Sequence, residues 1–401
     1  MASESQSQQA FQALDSFQIE IPSWGFANTG TRFGKFIQPA AASTIEEKFA
    51  DAAQVHRLTG CTPTMALHVL WDLPSGPDGV EDDVEQIRAL TQQHGVRAGS
   101  INPNLFQDQQ YKFGSLCNPS AEIRAQALDH VFASIEIAHR LQSRDISLWL
   151  ADGSNYPGTQ SIRRRIEWLE SALQQAHAHL TSSQRLLVEY KPFEPAFYHT
   201  DIADWGMALH LAQSAGPKAK VLVDTGHHYP GQNIEQIVAW LLHTGMLGGF
   251  HFNDRRYADD DLTLGSIDPY QVFRIFHEIH AAADSANFAL ADIAFMIDQS
   301  HNLKGKIEAM VQTVMAAQEL WLKAALVDRE QLAALQTSCD LVAAEELFRG
   351  AFYQDVRPLL AEWRTARNLP ADPLCALRKS GYVEQITQQR SGKQSTGSSY
   401  A

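Results

Sequence analysis

Eight short apolar segments recur between residues 18 and 298, and helical patterns separate most of them. In the helical patterns at 121–141, 162–180 and 234–247, apolar residues repeat at spacings of three and four. Such alternation predicts parallel strands covered by helices. Because eight units fill about 280 residues, they favour an α/β fold of the (β/α)8 TIM-barrel type over an open sheet. The predicted strands are FQIEIPSW (ending at Trp24), MALHVLW (65–71), RAGSINPN (97–104), ISLWLAD (146–152), RLLVEYK (185–191), KVLVDTG (220–226), GGFHFND (248–254) and IAFMID (293–298).

The pattern changes after Asp298, where helical periodicity continues without further strands. Residues 305–365 contain long amphipathic patterns, and no linker rich in glycine, proline or serine precedes them. We therefore predict a helical extension packed on the barrel or on a neighbouring subunit, followed by a polar tail that is too poor in apolar residues to fold. The predicted segments are an N-terminal arm (1–17), the barrel (18–304), a C-terminal α-helical extension (305–382) and a disordered tail (383–401).

The charge and the cysteine content argue against several classes of protein. The 401 residues carry 46 acidic and 32 basic side chains, a net charge of −14, which argues against nucleic acid as a partner. The four cysteines form no Cys-x-x-Cys pair, so we expect reduced thiols in a cytoplasmic protein rather than a zinc ribbon. The first residues, MASESQSQQAFQALDSF, contain no signal-peptide pattern, and no apolar run approaches the length of a membrane span.

Acidic and imidazole side chains mark the last four predicted strands. In a barrel of this type the carboxyl ends of all strands meet at one mouth, where active sites lie. A buried carboxylate or imidazole costs several kcal/mol unless it is paired or bound to a metal. One such residue is compatible with a structural role, but four in succession indicate a site for Mn²⁺, Mg²⁺ or Co²⁺, with no thiolate to favour zinc. The four residues are Glu189, Asp224, His251 and Asp298.

A second group of candidate ligands lies in the loops beside these strands. The acidic triplet 259–261 follows the seventh strand, and His227 follows the sixth. Alone, the triplet is typical of a solvated loop, and its spacing to the next glycine excludes an EF-hand. Together with His227, however, Asp259 and Asp261 can complete a second metal site, with Glu189 as the carboxylate between the two ions.

The segment VDTGHH (223–228) contains the Asp-Thr-Gly sequence that is also found in aspartic proteases. Such an enzyme needs two catalytic carboxylates in a β-rich fold. This chain has one copy of the sequence, within alternating strands and helices. We therefore reject the protease interpretation.

Eight short motifs of the chain occur in the same order in one known family, and the similarity to that family runs from about residue 18 to about residue 382. The motifs are IPSWG, GTRFGKF, WLADGSNYPG, VEYKPFEPAFY, KAKVLVDTGHH, GGFHFND, DDDL with IDPY, and MIDQSHN. In combination they resemble the L-rhamnose isomerase family, in particular its broad-specificity bacterial branch, within the xylose-isomerase-like barrel group. The resemblance implies a (β/α)8 barrel, a homotetramer and two divalent metal ions per subunit, most often Mn²⁺.

The resemblance also implies roles for individual residues. Lys191 is implied to lie beside O1 of the sugar, and Phe33 to reach into the site of a neighbouring subunit. The structural ion is implied to bind Glu189, Asp224, His251 and Asp298. The catalytic ion is implied to bind Glu189, His227, Asp259 and Asp261. The sugar pocket is implied to be lined by Trp24, His68, Phe106 and Trp149. The residues closest to the chemistry are implied to be Glu189, Lys191, His227 and Asp298.

The implied reaction interconverts aldoses and ketoses, such as L-rhamnose and L-rhamnulose or D-allose and D-psicose. In this reaction a metal ion polarises O1 and O2, a metal-bound water moves a proton between them, and hydride moves between C2 and C1. The hydride shift needs a dry pocket, which aromatic side chains provide. Two other functions stay open. A metallohydrolase of the endonuclease IV type should have a basic surface, which the charge of −14 argues against, and a non-catalytic sugar-binding barrel should lack a ligand.

Overall fold

The structure is a computed structural model that describes residues 4–28, 36–73, 75–195, 197–257, 259–283 and 289–391. Its strands are β1 (Ile21–Pro22), β2 (Thr64–His68), β3 (Arg97–Asn102), β4 (Asp145–Leu148), β5 (Arg185–Glu189), β6 (Phe193–Glu194), β7 (Tyr198–His199), β8 (Ala219–Asp224), β9 (Leu247–Phe252) and β10 (Ala294–Ile297). Eight of them pair in parallel in the order β1-β2-β3-β4-β5-β8-β9-β10, and β6 and β7 form a separate antiparallel hairpin. A parallel bridge between Glu20 and Met296 joins the first and last strands. The predicted (β/α)8 barrel is therefore confirmed.

Helices cover the barrel from outside. The helices are α1 (Glu4–Ser16), α2 (Ile45–Thr59), α3 (Val69–Asp72), α4 (Gly76–His94), α5 (Ala121–Arg140), α6 (Ile162–His179), α7 (Trp205–Ala215), α8 (Ile234–His243), α9 (Pro269–Ala283), α10 (Lys306–Ala325), α11 (Arg329–Thr337), α12 (Leu341–Tyr353), α13 (Arg357–Ala366), α14 (Pro373–Lys379) and α15 (Tyr382–Arg390). Short 3-10 turns lie at Ser23–Phe26, Gln109–Phe113 and Leu290–Asp292. One long helix follows each barrel strand, as the topology of a right-handed β/α crossover requires.

Local sequence explains where several of these helices begin and end. The side chains of Thr44, Asp204 and Asn233 each accept a hydrogen bond from a backbone N–H in the first turn of α2, α7 and α8. These contacts satisfy donors that a helix leaves unpaired at its start. Helix α2 ends at Gly60, which adopts a left-handed conformation with φ of 75°. Glycine adopts this conformation without the steric cost that a side chain brings.

Helix α10 (Lys306–Ala325), which lies beyond the predicted barrel boundary at residue 304, covers the last barrel strand in the same way as the preceding helices cover theirs. It follows β10 and packs on both α9 and α2, so that it covers the place where the last strand meets the first. Its buried residues include Met310, Val314 and Trp321. The sequence pattern did not separate α10 from the helices that follow because all of them are amphipathic. The helices that follow, α11 to α15, form the C-terminal helical extension, and the prediction of such an extension is confirmed.

The N-terminal arm contains helix α1. Helix α1 packs on α10 and α13, where Leu14 joins an apolar cluster with Leu322 and Trp363. The indole nitrogen of Trp321 donates to the carbonyl oxygen of Ala13 at 2.9 Å. The arm therefore ties the barrel to the C-terminal helices.

The prediction of a disordered tail from residue 383 is corrected for residues 383–390, which belong to α15. The guanidinium of Arg390 contacts both carboxylate oxygens of Asp51 at 2.8 and 3.0 Å. The hydroxyl of Tyr382 donates to the same carboxylate at 2.8 Å. This buried contact joins α15 to α2 on the barrel. Residues 392–401 lie outside the described residues.

The second barrel strand is shorter than predicted. Strand β2 ends at His68, and residues 69–71 of the predicted strand turn into the short helix α3. Valine, leucine and tryptophan continue the apolar run, so that the sequence alone does not distinguish the strand from the turn. The consequence is that Trp71 comes to lie at the barrel mouth.

Two further properties of the structure concern thiols and membranes. Cys61, Cys117, Cys339 and Cys375 are all free cysteines. Within the described ranges, no helix has both the length and the apolar character that crossing a membrane demands.

Strands β9 and β10 approach so closely at Gly249 that a side chain does not fit there. A Cβ atom would lie 2.6 Å from the carbonyl oxygen of Ala294. We expect Gly249→Ala to push the strands apart and to lower the free energy of unfolding by about 1–3 kcal/mol. A lower melting temperature in scanning calorimetry checks this expectation.

Gly350 provides the matched control, because it lies in α12 and a Cβ atom added there would meet no neighbouring atom within 4 Å outside its own helical turn. Gly350→Ala is expected to raise the free energy of unfolding by about 0.5–1 kcal/mol, since alanine is the better helix former. If both variants melted at the temperature of the parent protein, the close approach at Gly249 would be contradicted.

Candidate active site

A cavity of about 150 Å³ lies at the barrel mouth, where the carboxyl ends of the strands meet. The first four barrel strands contribute aromatic side chains to it, and the last four contribute charged ones. The aromatic wall consists of Trp24, His68, Trp71, Phe106 and Trp149. The charged wall consists of Glu189, Lys191, His227, His251, Asp259, Asp261 and Asp298, together with Asp224, which contacts both imidazoles. Every sequence-predicted site residue lies in one of these walls except Phe33, which is outside the described residues.

Three carboxylates and one imidazole converge at the ends of β5, β8, β9 and β10. The Nδ1 atom of His251 lies 3.3 Å from Oε1 of Glu189. It also lies 3.9 Å from Oδ2 of Asp224 and 3.7 Å from Oδ2 of Asp298. Two ligand atoms that each lie about 2.1 Å from one ion are at most about 4.2 Å apart. The distances therefore fit a shared divalent ion. Nδ1 of His251 is buried and makes no hydrogen bond within the described residues, which suits a ligand atom.

His227 belongs to a second group, on the loops after β8 and β9. Its Nδ1 atom lies 3.0 Å from the carbonyl oxygen of Tyr190, an acceptor, so this nitrogen carries a proton. Its Nε2 atom lies 3.0 Å from Oδ1 of Asp259. A backbone carbonyl on one ring nitrogen is the usual way to orient the other nitrogen towards a metal. Asp261 lines the same cavity beside Asp259.

Two buried carboxylates connect the groups. Oε1 of Glu189 lies 3.2 Å from Nδ1 of His227 and 3.3 Å from Nδ1 of His251. Asp224 shares close ligand atoms with Glu189 and His227 on one side and with His251 and Asp298 on the other. Both carboxylates therefore lie between the His227 group and the His251 group.

The turn after β8 holds these side chains in place. The backbone N–H of Gly226 donates to Oδ1 of Asp224 at 2.6 Å, and the Asn253 side-chain amide donates to the same oxygen at 3.0 Å. A Cβ atom at Gly226 would lie 2.3 Å from Oδ1 of Asn253. Glycine is thus required here for space rather than for an unusual backbone angle. His228 points elsewhere, because its Nε2 atom bonds the hydroxyl of Tyr190 at 2.7 Å.

Burial and mutual charge shift the pKa values of the charged wall strongly. Burial raises the pKa of Asp224 to about 6, with His227 opposing and Glu189 adding to the shift. Burial alone would also raise the pKa of Glu189, but the charges of His251 and His227 hold it at about 2. Burial lowers imidazole pKa values, yet Glu189 raises that of His251 to about 9. The pKa of His227 is raised well above its usual value, chiefly by Asp224 against the effect of burial. Without metal, protonated imidazoles therefore balance the carboxylates at neutral pH.

Lys191 lies where the two walls meet. Its Nζ atom donates to Oδ2 of Asp259 at 2.5 Å and to Oε2 of Glu194 at 2.7 Å. It also lies 5.0 Å from the centre of the Trp149 ring, within the range of a cation–π contact. Burial by itself would lower the pKa of this ammonium, but Asp259 and Glu194 raise it above its usual value. Lys191 is therefore a permanent cation and hydrogen-bond donor at the cavity.

The rings of the aromatic wall contact one another in a continuous series, mostly edge to face. The rings of His68 and Trp71 are stacked at 3.7 Å, and Phe106 meets Trp149 edge-on at 4.7 Å. Several buried polar atoms in or beside this wall have no hydrogen-bond partner within the described residues. They include Nδ1 of His68, Oγ of Ser147 and Nε1 of Trp149. Because unpaired buried polar groups are costly, these atoms mark places where a polar ligand can bond.

Sequence reasoning missed Trp71, Asn102 and Ser147 as residues of this cavity. Trp71 was assigned to a strand that ends three residues earlier. Ser147 lies two positions before Trp149 and therefore on the same face of the chain, which was an available signal. Asn102 is the last residue of β3, so its place at the strand end was a second available signal.

The fold agrees with a family comparison. Residues 64–316 match the family described as the xylose isomerase-like TIM barrel, and the chain belongs to this family. It is 39% identical over 380 residues to a probable sugar isomerase of Rhizobium meliloti, covering 94% of this chain and 86% of that protein. It is 37% identical over 382 residues to a probable sugar isomerase of Mesorhizobium japonicum, covering 94% and 87%.

A solved structure supports the fold. D-allulose 3-epimerase from Methylomonas sp., in complex with D-allulose, superposes with a TM-score of 0.52 over 75% of this chain and 95% of that one. At 13% identity this likeness concerns the fold alone. Relatives and fold together define an enzyme of the sugar isomerase kind, with acidic and histidine groups that can bind metal.

The raised imidazole pKa values generate a test of the metal centre. Binding of Mn²⁺ to chelator-treated protein at pH 7 is expected to release at least two protons, because His227 and His251 must each lose a proton to act as ligands and burial also raises the pKa of Asp261. Titration calorimetry in two buffers of different ionisation enthalpy measures this number. His251→Gln serves as the comparison and should release about one proton fewer. Binding without proton release would show that these imidazoles do not take up the ion.

Proposed function

We propose that this protein is a metal-dependent aldose–ketose isomerase that converts L-rhamnose to L-rhamnulose and also accepts related aldohexoses and pentoses, such as D-allose. The observation that carries the proposal is the meeting of a two-part metal-ligand cluster with an aromatic wall in one small cavity. The printed names of the two rhizobial relatives, each a probable sugar isomerase, support the reaction class. The choice of L-rhamnose rests on the motif resemblance.

Two divalent ions, most suitably Mn²⁺ and alternatively Co²⁺ or Mg²⁺, are proposed to bind the charged wall. One would be held by Glu189, Asp224, His251 and Asp298, and the other by Glu189, His227, Asp259 and Asp261. Oxygen and imidazole ligands without a thiolate suit these ions. When bound, the ions supply Lewis-acid polarisation of the sugar oxygens.

The side chains of the cavity have distinct tasks in this proposal. The Nζ atom of Lys191, permanently protonated, donates a hydrogen bond to O1 of the open-chain sugar and so favours negative charge there. The aromatic wall excludes water while hydrogen moves between C2 and C1. The free donor at Nε1 of Trp149 and the hydroxyl of Ser147 bind sugar hydroxyls further along the chain.

The quaternary structure in this proposal is a homotetramer in which Phe33 of one subunit reaches a neighbouring site. This part rests on the resemblance, and sedimentation of the purified protein measures the oligomeric state.

Metal removal tests the proposed reaction. After treatment with chelator the protein should not convert L-rhamnose, and added Mn²⁺ should restore formation of the ketose, followed by chromatography. D-allose, L-mannose, L-lyxose and D-ribose extend the same assay to the wider substrate class. The proposal fails if none of these aldoses turns over in either state. Conversion of D-psicose to another ketose without any aldose would identify an epimerase instead.

Lys191→Met tests the role of the ammonium. We expect kcat to fall by about 10²–10³, as when one donor to a developing oxyanion is removed, with unchanged metal content measured by mass spectrometry. Lys220→Met is the matched control. Lys220 lies near the amino-terminal end of β8, at the end of the barrel away from the cavity, and its ammonium donates to the carbonyl oxygen of Gly245. A similar kcat in both variants would remove Lys191 from the mechanism.

A further inference from the structure

We infer that Asp72 is a positioning residue for the aromatic wall: its buried carboxylate, bound by Ser23, Lys48 and the backbone of His68, sets where Trp24, His68 and Trp71 stand. The inference rests on the proposed function, since the task of the wall there is to hold the sugar. Asp72 itself does not line the cavity.

Three donors from separate elements meet at this carboxylate. The hydroxyl of Ser23, in the turn after β1, donates to Oδ2 of Asp72 at 2.5 Å. The ammonium of Lys48, in α2, donates to Oδ1 at 2.5 Å. The backbone N–H of His68, at the end of β2, donates to Oδ2 at 2.8 Å. The Asp72 side chain is 0% exposed and that of Lys48 only 7%.

Two of these three contacts, and Asp72 itself, lie at or next to a ring of the wall. Ser23 directly precedes Trp24, His68 is itself a member, and Trp71 directly precedes Asp72. A shift of the carboxylate therefore moves the backbone that carries three rings. The ring of His68 lies 3.7 Å from that of Trp71 and 6.2 Å from that of Trp24, so the three move as one unit.

The far ends of the two indoles are fixed by other groups. Nε1 of Trp24 donates to Oδ1 of Asp298 at 2.9 Å, and Nε1 of Trp71 donates to Oε1 of Gln107 at 2.7 Å. Asp72 thus determines the backbone position of the wall, while Asp298 and Gln107 determine ring orientation. The ammonium of Lys48 compensates the buried charge of Asp72, which explains why a lysine is buried in α2.

None of these contacts uses a carboxylate of the charged wall except the single bond from Trp24. Loss of Asp72 should therefore disturb sugar binding and leave the metal ligands in place. Interactions lost equally in the ground state and the transition state change KM more than kcat. This separates a positioning role from a metal-binding or general structural one.

The experiment compares Asp72→Asn with Asp51→Asn in the metal-loaded protein. Asp51 is an equally buried aspartate with a buried basic partner, Arg390, and it does not line the cavity. Both variants should lower the melting temperature. Asp72→Asn alone is expected to raise KM for the aldose by about tenfold, with kcat within about threefold and metal content unchanged. It alone should also change the near-ultraviolet circular dichroism of the tryptophans.

Ser23→Ala provides a milder variant if Asp72→Asn does not fold. It removes one donor and keeps the Lys48–Asp72 ion pair, and it should raise KM by about two- to threefold. Equal KM values and equal dichroism in the Asp72 and Asp51 variants, or an unchanged KM in Ser23→Ala, would overturn the inference. If the parent protein turns over no aldose, the proposed function fails, whereas the dichroism of the Asp72 and Ser23 variants still decides whether Asp72 positions the rings.

Discussion

The balance of charge between two buried carboxylates and two imidazoles is the constraint on which the barrel mouth depends. Glu189 and Asp224 are almost fully buried at the ends of β5 and β8, where isolated negative charges would cost several kcal/mol each. His227 and His251 lie close enough to offset those charges. Nδ1 of His251 lies beside Glu189 and Nε2 of His227 beside Asp259, so these two nitrogen atoms can bind either a proton or a cation. The acids buried here therefore form, together with the imidazoles, groups that can bind a metal ion.

Adjacent residues of the turn VDTGHH make different contacts and have different roles in the structure. Asp224 ends the strand between the two ligand groups, and Gly226 leaves room for the Asn253 side chain that holds it. His227 faces the cavity. His228 lies on the other side of the chain, where burial lowers its pKa to about 3 and keeps it neutral beside Tyr190. Successive positions point to different sides here, so two adjacent histidines have different surroundings.

Much of this arrangement could be predicted from the sequence because it depends on two general rules. Side chains alternate between the two faces of a strand, and the carboxyl ends of all strands meet at one end of a barrel. These place Glu189 and Lys191 on one face and bring residues of four distant strands together. What the sequence did not reveal depends on contacts without local periodicity. The Arg390–Asp51 contact spans 339 positions, and it orders a helix in a segment whose composition suggested disorder. Trp71 was predicted to lie in a strand because a short apolar sequence is compatible with either the end of a strand or a helical turn.

The two kinds of side chain at the barrel mouth come from different parts of the sequence. Strands β1 to β4 carry the aromatic wall and β5, β8, β9 and β10 the charged wall, so the aromatic and the charged side chains of the cavity come from different halves of the barrel. Closure of the barrel sets β10 beside β1, and there the indole of Trp24 bonds Asp298. At the opposite junction, between β4 and β5, Lys191 approaches Trp149. The two walls are thus joined at both places where they meet, and a ligand between them can contact the aromatic surface and the charged groups at the same time.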